Sequence, residues 1–133
     1  MVEPQLWATL DYTTSIDPNA QACLTWNVSQ AGTGHGLSVW FDTELLPGIR
    51  YSNAPDAPHI PIYSQIFFPW SEPVDLSIGD RVEVRFRVHL MQDHYVWSWY
   101  TCVDNSTQTQ SKARFRQASF AAQPTVPVFD EEA

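Results

Sequence analysis

The chain has 133 residues and a mass of 15.2 kDa, with 44% hydrophobic and 14% aromatic side chains. That is enough for a single β domain, predicted over 1–122, and too little for a two-domain enzyme. Asp and Glu number 15 against 7 Lys and Arg, so the net charge is -8 and the pI about 4.7. One lysine, Lys112, and six arginines scattered along the sequence lack the clustering that displaces counterions from phosphates, which excludes nucleic acid and anionic membranes as expected partners. The acidity instead fits a soluble domain, or one that meets a basic partner such as an Arg-rich polypeptide.

No run approaches the ~20 consecutive apolar residues of a membrane span. The start, Met1-Val2-Glu3-Pro4, lacks the basic-then-apolar layout of a signal peptide, so the predicted compartment is the cytoplasm. Cys23 and Cys102 are read as buried free thiols, because a domain of this size needs no disulfide staple.

Ten prolines, from Pro4 to Pro127, leave few gaps for a long helix, since each interior proline costs about 3 kcal/mol. The apolar residues alternate instead. Residues 22–28 put Ala22, Leu24, Trp26 and Val28 on one face and Cys23, Thr25 and Asn27 on the other. A glycine-rich connection, 30–36, leads to a second strand over 37–42. Residues 46–61 carry four prolines and read as an ordered excursion, the kind of loop where function tends to sit. Strands over 62–68 and 74–78 follow, the second joined through Gly79-Asp80 to 81–90 as a hairpin or closely connected pair. Within 81–90 every even position is apolar and every odd one is charged or imidazole, the pattern of a strand with one wet face. Segments 95–103 and 113–120 complete a set of about seven strands at sandwich-like spacing. The acidic tail, 123–133, is predicted to be extended.

Little in the sequence points to catalysis by this chain alone. Gly32-Thr33-Gly34-His35-Gly36 has the glycines of a nucleotide-binding turn, but β-forming residues follow where the mechanism needs a helix N-terminus. His35, His59, His89 and His94 show no zinc-type spacing, although His89 and His94 flank a short turn holding Asp93. No serine lies in a nucleophile elbow, and neither cysteine has a basic neighbour. Asp42 and Glu44 share one strand face, and acid/base chemistry would need them in a cleft. Trp97 and Trp99, two apart, point the same way and read as core, with Tyr95 and Val103 continuing that face.

The order of segments carries the strongest signal. Residues Gly34 to Asp42, ending Trp40-Phe41-Asp42, then Tyr63 to Pro69 around Gln65, then Val74 to Asp80 ending Gly79-Asp80, resemble the C-terminal β-barrel of the protein arginine methyltransferases. Leu10 to Asp17 is similar to the segment leading into that barrel, and Phe115 to Phe120 to a closing strand. The resemblance implies an all-β, antiparallel barrel or sandwich acting on the substrate side. It also implies that S-adenosylmethionine and the glutamates that hold the guanidinium belong to a missing N-terminal cofactor domain, so the chain holds no cofactor and is expected to be a noncatalytic fragment. The family's Thr-His-Trp loop falls on Pro61, Ile62 and Tyr63. The substrate-side candidates it implies are therefore His59, Tyr63 and Gln65. Two other readings of the residues stand beside this one: a carbohydrate-binding β-sandwich, which the tryptophans suit, and a purely structural or protein-interaction module.

Overall fold

A computed structural model of the chain describes residues 2–14, 17–58 and 62–119. Among them are eight strands and no helix: β1 (Ala20–Asn27), β2 (Gly32–Val39), β3 (Asp42–Leu46), β4 (Ile49–Ser52), β5 (Ile66–Leu76), β6 (Arg81–Met91), β7 (His94–Asp104) and β8 (Ser111–Ala118). The all-β, antiparallel class expected from the alternation is the class found. The strands form a four-stranded sheet in the order β1-β6-β7-β8 and two ribbons, β2-β5 and β3-β4. Among the described residues no helix is long and apolar enough to cross a membrane. The chain divides into two compact units, residues 1–34 with 74–133 and residues 35–73.

The first unit is built on the four-stranded sheet. Along β6, Val82, Val84, Phe86 and Val88 are buried and alternate with polar residues that are not, as the period-2 pattern requires. Trp99, Thr101 and Val103 of β7 and Phe115 of β8 join the same core. Each fully buried valine or larger apolar side chain contributes about 1.5–3 kcal/mol from the water it leaves. Trp7 packs edge-on to Phe86 at 5.0 Å between ring centroids and meets Trp97 at 5.8 Å. The segment holding Trp7 is tied to β1, where Gln5 donates to the Thr25 carbonyl at 2.8 Å and Trp26 Nε1 donates to the Glu3 carbonyl at 2.7 Å. At one corner Val28 N–H donates to the Asp80 carbonyl and Gly79 N–H to the Val28 carbonyl, both at 2.8 Å. The turn bends there because Gly79 takes a φ of +88°, a conformation open to a residue without Cβ.

The second unit rests on the hairpin β3-β4 and on the parts of β2 and β5 that fall within it. In the hairpin Asp42 faces Ser52, Thr43 faces Tyr51 and Glu44 faces Arg50. The β2-β5 ribbon is antiparallel, since Thr33 reaches Asp75 while Ser38, further along, reaches back to Gln65. Its backbones approach closely at Gly36, where a Cβ would lie 2.8 Å from both Phe67 Cζ and Pro69 Cα. Phe68 and Trp70 are buried.

Several sequence expectations change. The stretches 62–68 and 74–78 are parts of the neighbourhood of one long strand, β5, which carries Pro69 and Pro73. Residues 74–76 pair with β2 and not with β6, so Gly79-Asp80 is a corner and not a hairpin tip. The glycine-rich stretch is mostly strand, with β2 starting at Gly32. The proline-rich excursion begins with a hairpin, because Gly48 takes a φ of +80° and lets β4 turn back on β3. Cys23 is exposed, on the wet face of β1, whereas Cys102 is buried; both thiols are free. Tyr95 does not continue the tryptophan face into the core but is 52% exposed. The acidic tail lies outside the described residues.

Candidate functional site

The sequence candidates Tyr63 and Gln65 lie in the second unit, on the segment entering β5. His59 lies outside the described residues. What organises this segment is a residue that the sequence reading missed, Asn53, which is 1% exposed. Its Oδ1 accepts from Phe41 N–H at 2.8 Å, and its Nδ2 donates to the Ser64 carbonyl at 3.2 Å and the Tyr63 carbonyl at 3.4 Å. Gln65 completes the arrangement, donating from Nε2 to the Asn53 carbonyl at 3.0 Å and accepting at Oε1 from Ser38 Oγ at 3.2 Å. Buried amides that satisfy several backbone groups this way fix loop conformation, since each group left unpaired costs about 1–3 kcal/mol. Nothing in the pattern Ser52-Asn53-Ala54-Pro55 separates such an asparagine from an ordinary turn residue.

Over this scaffold three rings gather. Phe41 and Tyr51 centroids lie 5.8 Å apart, and Tyr63 lies 6.3 Å from each. The Tyr51 hydroxyl accepts from Ile62 N–H at 2.8 Å and Tyr63 N–H at 3.2 Å, which anchors the loop to the ring. Yet Tyr63 is 63% and Phe41 43% exposed. An aromatic cluster with an ordered base and open faces can stack a planar or cationic group, each cation–ring contact being worth about 0.5–1 kcal/mol at an exposed site.

The carboxylates nearby serve the hairpin. Ser52 Oγ donates to Asp42 Oδ1 at 2.5 Å. Glu44 accepts from Gly48 N–H at 3.0 Å and from Arg50 Nε at 3.2 Å, and the Gly48 bond, with the Arg50 charge, holds its carboxyl below the ordinary range. Asp42 and Glu44 thus both take part in holding the hairpin. A shallow concavity beside them is lined by Asp42, Thr43, Glu44, Arg50, Tyr51 and Ser52. Among the described residues no group of three or more His, Cys, Asp or Glu could hold a metal ion. The glycine-rich stretch presents strand β2, and no helix N-terminus follows it.

Fold and site together define an all-β module with an exposed aromatic cluster on a rigid polar base. No family model matches the chain. Over 73 residues, 53% of this chain, it is 33% identical to protein arginine N-methyltransferase 5 of Xenopus laevis. The match spans 12% of that relative's length. Part of this chain is thus distantly similar to a region of an arginine methyltransferase.

Proposed function

We propose that the chain is a noncatalytic, substrate-side β domain of a protein related to the arginine methyltransferases, with S-adenosylmethionine bound by a domain outside it. The observation that carries this reading is the 33% identity over 73 residues to an arginine methyltransferase, and the all-β fold is compatible with it. The Phe41, Tyr51 and Tyr63 cluster, beside Asp42 and Glu44, is the part of the domain suited to a basic polypeptide, because a guanidinium stacks on rings and pairs with carboxylates. Calorimetric titration with an arginine-rich peptide tests it. Binding is expected to weaken about fivefold in a Phe41→Ala/Tyr63→Ala variant, the loss of two exposed cation–ring contacts. Tight binding of S-adenosylmethionine to this chain would overturn the division of labour. A saturable quench of tryptophan fluorescence by polysaccharide, with no response to the peptide, would instead favour a carbohydrate-binding sandwich.

A further inference from the structure

The arginines are scattered in sequence but not in space. Strand pairing carries five of the six, all but Arg50, onto one face of the four-stranded sheet. Arg85, Tyr100 and Arg116 form one row across β6, β7 and β8, which Cys23 of β1 extends. The guanidinium carbons of Arg85 and Arg116 lie 5.8 and 5.6 Å from the Tyr100 ring centroid. The row on one side holds Arg87, and the row on the other holds Glu83, Cys102 and Arg114. Arg81 stands opposite Asp104. Five arginines thus share this face with two carboxylates, Glu83 and Asp104, in a chain whose net charge is -8.

The face already shows how it treats a carboxylate. Glu83 accepts from Arg81 Nη2 at 2.9 Å and lies 3.5 Å from Arg85 Nε. Guanidinium forks match carboxylates in geometry as well as charge. Arg114 and Arg116, one strand edge further on, are exposed, and same-face residues along a strand repeat every ~7 Å, the spacing of alternate residues in any extended chain. We propose that this face docks an extended acidic polypeptide, whose alternate carboxylates seat on the guanidinium rows flanking Tyr100.

Fluorescence anisotropy with a labelled peptide of alternating glutamate and threonine tests the proposal on the full chain. Saturable binding is expected, weakened about tenfold or more by Arg114→Gln/Arg116→Gln and retained in Arg50→Gln, which lies in the other unit. The Arg114→Lys/Arg116→Lys variant, which keeps the charge and loses the fork, is expected to fall between. Circular dichroism and thermal melting establish that each variant is folded. The proposal is overturned by absence of binding to the parent chain, by unchanged affinity in Arg114→Gln/Arg116→Gln, or by an equal loss in Arg50→Gln. Tighter binding of an oligothymidylate than of the peptide would assign the face to nucleic acid, and a dimer dissociated by Arg114→Gln/Arg116→Gln would assign it to a second copy. Neither result bears on the arginine-rich peptide titration, which reads the aromatic cluster.

Discussion

Lys112, the sole lysine of the chain, donates from β8 to Asp80 Oδ2 at 2.5 Å, at the corner where the chain enters β6. It also donates to the Asp75 carbonyl at 3.1 Å and to Ser77 Oγ at 3.2 Å. Asp80 is 2% exposed and its Oδ2 accepts from Ser77 N–H at 2.8 Å as well. One ion pair therefore joins the end of β5, the corner and β8.

That pair makes stability depend on acid in a defined direction. Burial pushes the Asp80 carboxyl up, but the Lys112 hydrogen bond and charge, with the N–H groups of Ser77 and Ser106, outweigh it and leave the group below its ordinary 3.8. A carboxyl whose folded value lies below its unfolded value stabilises fully above the unfolded value and loses that stabilisation as pH falls through the folded one. Asp80→Asn is expected to cost about 3 kcal/mol at neutral pH, the low end for breaking a buried pair, since Lys112 keeps some access to water. Urea denaturation from pH 7 down to pH 2 checks this: the variant should show a flatter acid arm. Lys112→Met should instead move the acid loss to higher pH, because Asp80 then keeps only its backbone donors.

The close approach at Gly36 predicts a contrast between two glycines of the same strand. Gly36→Ala places a methyl against the Phe68 carbonyl oxygen, Phe67 and Pro69, and is expected to cost about 1–3 kcal/mol as an overpacking change. Gly32→Ala has open space around it and should be neutral or slightly stabilising. Melting temperatures of the two variants, measured side by side, decide the matter.

Thr101 is 0% exposed, and its Oγ1 has no hydrogen-bond partner among the described residues. Thr101→Val keeps the β-branched shape that suits a central strand and removes an unsatisfied buried hydroxyl. The expected outcome is a gain of about 1 kcal/mol in chemical denaturation. A loss of that size would mean that the hydroxyl is satisfied.

The two thiols should differ in reactivity. Cys23 is exposed and Cys102 is buried, with its Sγ 3.4 Å from Asp104 Oδ1. A thiol-specific disulfide reagent should therefore titrate one thiol per native chain and the second only after unfolding, because buried thiols are inert. Cys23→Ser should abolish the fast phase and leave the melting temperature unchanged.

Much of the fold was legible in residues 81–90. Valine and phenylalanine at alternate positions admit only a strand with one buried face, and β6 has that form. The tryptophan-rich segment 95–103 was equally plain as β7. Residues 62–78 were harder to read as one strand, because β5 carries Pro69 and Pro73, and a strand paired on only one edge tolerates a proline whose missing N–H has no ladder to serve. Tyr63 and Gln65, named from a resemblance of motifs, both bond to Asn53, through the Tyr63 carbonyl and Gln65 Nε2. Asn53, which holds them together, was invisible because its importance lies in being buried, and burial is not a property of a tetrapeptide.

The sequence by itself determined the class of structure, since alternation is a local property written into every strand, and it determined the overall acidity. Which charges stand together was decided only by the tertiary structure. Arg85 and Arg116 are far apart along the chain, and no spacing rule links them. The registers of β6 on β7 and of β7 on β8 set both beside Tyr100, because pairing, once fixed by one face, fixes the other as well. Six arginines that look dispersed in an acidic chain become, through that pairing, five on one sheet face.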